Sequence, residues 1–134
     1  MSLEVTEELQ DCVMPSVYAV GEWMPYGKFV ATLAKKMPSI VEDRLHAAVG
    51  ISGEAGELLD AVKKNWVYNK ELDSENVKEE LGDLMFYITA MMLLQGITLD
   101  EVLEANVTKL EKRYAGLQYS DEAAQTRADK ATGE

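Results

Sequence analysis

The chain has 134 residues, enough for one core, and a net charge of −11 from 24 acidic and 13 basic side chains. That charge opposes binding to a nucleic-acid polymer, whose phosphates need a basic surface, but leaves room for a small phosphorylated ligand with a divalent cation. A single cysteine, Cys12, excludes an internal disulfide framework and fits a reducing compartment.

Residues 1–25 give mixed signals: "VTEELQDCVM" suits a short helix, and Pro15, Gly21 and Pro25 then break the pattern. No basic start precedes a continuous apolar run, so no signal peptide is expected. The segment "YGKFVATLAKKM" predicts the first regular helix, closed by Pro38. Ser39 to Glu42 forms a capping box, in which serine and glutamate satisfy free amides at a helix start. Periodicity then runs to Trp66, with Leu45, Ala48, Ile51, Ala55, Leu58, Leu59, Val62 and Trp66 on one side.

"YNKELDSEN" is a polar connection, and Asp73 or Ser74 can cap the next helix, which Gly96 stops after Gln95. Thr98 to Glu101 is a second capping box, opening a helix that ends near Tyr114. The tail beyond Gly116 is polar and alanine-rich, with one short helix expected from Ser120. No strand alternation interrupts this series. The expected fold is all-α, an antiparallel bundle of about four main helices, with an N-terminal extension (1–25), a helical domain (26–116) and a polar tail (117–134). Met85, Phe86, Met91, Met92, Leu93 and Leu94 surround almost the whole third helix. Such a helix needs cover on every side, which predicts a homo-oligomer sharing its core. The apolar run ending at Gly96 is too short to span a bilayer comfortably, and a soluble cytoplasmic protein is expected.

Two acidic pairs stand out. Glu54 and Glu57 are one helical step apart, and so are Glu80 and Asp83. A single such pair is ordinarily a solvated face. Here both border apolar stripes, and His46, Gly50, Gly53, Ala61 and Lys64 share the first pair's strip, where small residues let something approach the backbone. On antiparallel helices the pairs can face each other, and four uncompensated carboxylates would repel. A divalent cation removes that conflict, and oxygen-only ligands favour Mg²⁺ or Mn²⁺. A di-iron bundle would need Glu-x-x-His motifs, which are absent. Trp66 and Tyr87 read as core, His46 as a surface or satisfied histidine, and the methionines as adaptable filling.

At these residues, "LHAAVGISGEAGELLDAVKK" followed by "VKEELGDLMFYITAM" resembles the MazG-like nucleoside triphosphate pyrophosphohydrolases of the all-α NTP pyrophosphatase superfamily. The family pattern is E-x-x-E, some twenty residues, then E-x-x-D; here the 22 residues 58–79 separate Glu57 from Glu80. "NVTKLEKRY" is similar to the asparagine, lysine and arginine of the family's next helix, so the resemblance covers about 26–114. It implies Mg²⁺-dependent hydrolysis of a nucleoside triphosphate to the monophosphate and pyrophosphate, in a dimer or dimer of dimers. Glu54, Glu57, Glu80 and Asp83 would hold the metal, with Mn²⁺ a possible substitute, and Glu54 would deprotonate the attacking water. Asn106, Lys109, Arg113 and Lys64 are the substrate-binding candidates, Lys64 equally able to pair with Asp60. Relatives with these motifs that act on dUTP or phosphoribosyl-ATP are the alternatives, as is a non-catalytic helical oligomer.

Overall fold

The computed structural model describes residues 26–130; the short helix expected within 1–25 lies outside them. Five α-helices follow: α1 (Tyr26–Leu33), α2 (Ile40–Tyr68), α3 (Ser74–Gln95), α4 (Leu99–Arg113) and α5 (Asp121–Thr126). No strand occurs among the described residues, so the chain is all-α. After Thr98 the chain divides into two compact units, one holding α1 to α3 and the other α4, α5 and two short 3₁₀ turns.

Local chemistry accounts for most helix ends. Ser39 Oγ accepts from the Glu42 amide at 3.3 Å and donates to the Glu42 carboxylate at 2.7 Å. The glutamate thus returns to the serine hydroxyl rather than to a backbone amide. Asp73, not Ser74, caps α3, accepting from the Asn76 amide at 3.0 Å. Gly96 ends α3 in the left-handed region at φ 63°, and the following amide donates to Met92 O at 3.1 Å. Asn69 closes α2 in the same region, at φ 50°.

α1 stops at Leu33, well before Pro38. The Met37 amide donates to Asp43 Oδ1 at 2.8 Å, a bond that draws residues 34–37 out of the helical path. In a continued helix Pro38 would offer no amide and its ring would meet the Ala34 carbonyl, so it too acts against helix over residues 34–37.

α2 and α3 form an antiparallel pair. Gly50 lies against Tyr87, His46 meets Tyr87 with ring centroids 6.0 Å apart, and Glu54 and Glu57 meet Glu80. As numbers rise on one helix they fall on the other. A Cβ at Gly50 would overlap the Tyr87 ring, so glycine lets the two backbones approach. α1 packs on α3, and the core holds Val30, Ala47, Ala61, Thr89, Ala90, Met92 and Leu93.

One expectation reverses within this unit. The side of α2 turned to α3 is the small and acidic one, with Asp43, Ala47, Gly50, Glu54 and Ala61. The large apolar side faces outward: Leu45 is 62% exposed, Leu59 67% and Trp66 83%, so Trp66 is not core among the described residues. Close helix approach favours small side chains at the contact, and that leaves the bulky ones outside.

Candidate metal centre

Three of the four paired acids converge because α2 and α3 run antiparallel in close contact. One carboxylate oxygen from each of Glu54, Glu57 and Glu80 lies within 4.8 Å of the others. Two oxygens on opposite sides of a Mg²⁺ ion stand about 4 Å apart, so small side-chain rotations would bring the three onto one ion. Glu80 is 7% exposed, Glu54 half-buried and Glu57 exposed, so the cluster runs from the helix interface to solvent.

Glu80 carries the conflict. Its Oε2 is buried without a hydrogen-bond partner. Burial first, then the charges of Glu57, Glu54, Asp83 and Glu79, push its pKa above the usual carboxylate value. No basic side chain compensates it among the interactions of the described residues. An orphaned buried oxygen inside an all-oxygen donor set fits a hard divalent cation. Asp83 stands outside the converging three: it is exposed and reaches Glu80 through its charge.

Clefts lie on both sides of the cluster along the α2–α3 seam. Toward the C-terminal end of α2, one of about 410 Å³ is lined by Lys64, Lys70, Asp73 and Asn76, among others. Lys64 pairs there with Asp60 at 2.6 Å, both about half exposed, which raises the lysine pKa and lowers the aspartate's. Lys70 sits in the polar connection, where the sequence offered only its charge as a signal. In the other direction a cavity of about 250 Å³ is lined by Asp43, His46, Phe86 and Tyr87, with Leu33 at the end of α1 and the following Ala34 and Lys35 at its edge.

The other substrate candidates stand on α4, in the second unit. Asn106 and Lys109 are exposed. Arg113 is engaged instead: its Nε donates to Asp129 Oδ1 at 2.7 Å and one terminal nitrogen to Oδ2 at 3.0 Å. The ion pair holds the Asp129 carboxylate at a pKa of about 2.

Residues 44–117 match the MazG nucleotide pyrophosphohydrolase domain. The chain belongs to this family. Both acidic pairs and the α4 strip fall inside the matched segment. A relative from Mycobacterium phage L5, named only Gene 37 protein, is 31% identical over 78 residues, 54% of this chain and 68% of the phage protein. No solved structure matches. The three converging glutamates of this MazG domain therefore come from the two motifs that carried the resemblance. Among the described residues, no single helix is long and apolar enough to cross a membrane.

Proposed function

We propose that this MazG domain hydrolyses a nucleoside triphosphate, ribo or deoxyribo, to the monophosphate and pyrophosphate. The observation that carries the reading is the convergence of Glu54, Glu57 and Glu80 around a buried oxygen that lacks a partner. These three would hold Mg²⁺, or Mn²⁺ in its place, and Asp83 would join them by a side-chain rotation. A bound divalent cation supplies neutralisation of phosphate charge and a lowered pKa for water.

The chain's own groups do the rest. Glu54, half-buried at the cluster, takes a proton from the water whose oxygen attacks the α-phosphorus. A new P–O bond forms there, the bond to the bridging oxygen breaks, and pyrophosphate leaves with that electron pair. Lys64 and Lys70 line the cleft beside the cluster, where they would meet the leaving phosphates. Asn106 and Lys109, on α4 of the second unit, are phosphate or sugar contacts only as the resemblance implies. Arg113, its charge already met by Asp129, is assigned to holding the C-terminal segment rather than substrate.

A homodimer or dimer of dimers would cover the outward apolar side of α2, and a free nucleotide substrate with a lone cysteine fits the cytoplasm. Purified protein is incubated with Mg²⁺ and each NTP and dNTP, with dUTP among them, and pyrophosphate and monophosphate are measured. Release of both products in equal amounts is expected, and Glu54→Gln should lower kcat by about 10²- to 10⁴-fold with its helical circular dichroism retained. A folded Glu54→Gln or Glu80→Gln variant with full activity would overturn the assignment, and no hydrolysis of any nucleotide leaves a non-catalytic helical protein.

A further inference from the structure

The cavity at the Asp43 end of the α2–α3 seam has chemistry that the hydrolytic centre does not use. Asp43 is 3% exposed and lines it. One of its carboxylate oxygens accepts the Met37 amide; the other, Oδ2, is buried with no hydrogen-bond partner. An asparagine would serve the Met37 amide as well as an aspartate does. A buried carboxylate is costly unless its second oxygen also meets a donor, and none of the described side chains bonds it, Lys35 at the cavity's edge included.

The walls suit a flat ring. Tyr87 meets Phe86 edge-on, with centroids 5.4 Å apart, and His46 at 73° on its other contact. Ala47, Ala90 and Leu94 add apolar surface. At about 250 Å³ the cavity is below the usual range for a whole drug-sized ligand and suits one aromatic ring system. Its place along the helices also matters. His46 precedes Glu54 by eight residues, about 12 Å of helix, and Tyr87 follows Glu80 by seven, about 10 Å. A group bound here can be tethered through a sugar to a phosphate at the glutamates.

We propose that this cavity is the base site, and that the unpartnered Asp43 oxygen selects bases carrying an exocyclic amino group over those with a carbonyl in its place. The amino N–H donates to Asp43 Oδ2, completing the carboxylate's hydrogen bonds. A carbonyl at the same position would bring two acceptors together and leave both unsatisfied. Asp43 stands one residue before the segment matched by the family, so the match says nothing of it. The proposal rests on the nucleotide-hydrolysis reading for its setting and deepens it by naming the substrate class.

The test uses substrate pairs in which a carbonyl replaces the amino group: dCTP against dUTP, ATP against ITP, and GTP against XTP for the 2-amino group. In at least one pair kcat/KM should favour the amino member by about 10-fold or more. Asp43→Asn keeps an oxygen for the Met37 amide and turns an N–H₂ donor into the cavity, so the preferred pair's ratio should fall to one or below. Ratios near one or favouring the carbonyl in every wild-type pair overturn the proposal, as does an unchanged ratio in a folded Asp43→Asn protein. Should that variant not fold, the wild-type ratios decide alone. Titrating metal-free protein with CMP against UMP and AMP against IMP separates this proposal from the hydrolytic one. Tighter binding of an amino member without turnover supports the base site and removes the enzyme reading; turnover without discrimination does the reverse.

Discussion

Glu80 is stable in its position only at a cost, because folding buries its carboxylate beside the charges of Glu54, Glu57 and Asp83. Replacing it with glutamine removes one charge from the cluster and keeps the shape. In EDTA, Glu80→Gln should therefore melt at a higher temperature than wild type. With millimolar Mg²⁺ the order should reverse, since only wild type gains a cation, and differential scanning calorimetry of both proteins reads the crossing. An equal Mg²⁺ shift in the variant would place the ion elsewhere. The glycines on the same helix make a second contrast. Alanine gains about 1 kcal/mol over glycine inside a helix. At Gly50 its Cβ would meet the body of the Tyr87 ring rather than a flexible end, and overpacking costs about 1–3 kcal/mol. Gly50→Ala should lower stability on balance, whereas Gly53→Ala and Gly56→Ala, with open space around them, should raise it by about 0.5–1 kcal/mol in urea melts. Loss of hydrolysis in a stabilised Gly53→Ala would show that substrate passes close to that backbone.

At the scale of elements, what the sequence reveals follows the distance over which a contact acts. Ser39, Asp73, Ser120 and Gly96 each bond a residue three or four positions away, so their capping roles can be read from spacing. The acidic pairs are legible for the same reason, one helical step apart on each of two helices. Asp43 is not. It looks like an acid placed to favour a helix N-terminus, and the clue that it faces α3 is its position eleven residues, three turns, before Glu54. Arg113 and Asp129 are sixteen residues apart, and nothing in their spacing announces a two-point ion pair. This pair fixes the segment around α5 against α4. The Asp129 carboxylate titrates near 2 in the folded chain against 3.8 when free. A lowered acid pKa gives stability that is whole above 3.8 and drains away as pH falls through about 2. Protection of the amides of residues 121–130, taken against the intrinsic exchange rate at each pH, should fall over that window. Asp129→Asn should show the low protection already at neutral pH, with α2 and α3 unaffected, and unchanged protection in this variant would mean that the ion pair does not hold the segment.

The whole molecule has to reconcile an outward apolar helix side with a charge of −11. Val41, Leu45, Leu59, Val62 and Trp66 line one side of α2, a helix of 29 residues and so about 43 Å long. A stripe of that kind is the surface a homo-oligomer would bury, which is what the all-round apolar character of α3 leads the sequence reading to expect. Two copies meeting there bury apolar side chains that contribute about 1.5–3 kcal/mol each when fully covered, while their net charges repel. Burial is short-ranged and insensitive to salt; repulsion between exposed charges is screened with a Debye length near 10 Å at about 0.1 M. The two terms are therefore separable. In sedimentation velocity the protein should run as a dimer or dimer of dimers, and the association should tighten as salt rises from about 0.05 to about 0.5 M. Leu45→Asp together with Leu59→Asp puts two carboxylates on the stripe without touching the side that faces Glu80, and should yield a folded monomer. If wild type is already monomeric at tens of micromolar, or if the double variant keeps the wild-type sedimentation coefficient, α2 does not join two copies, and residues 1–25 of the same chain become the next segment to test against that stripe.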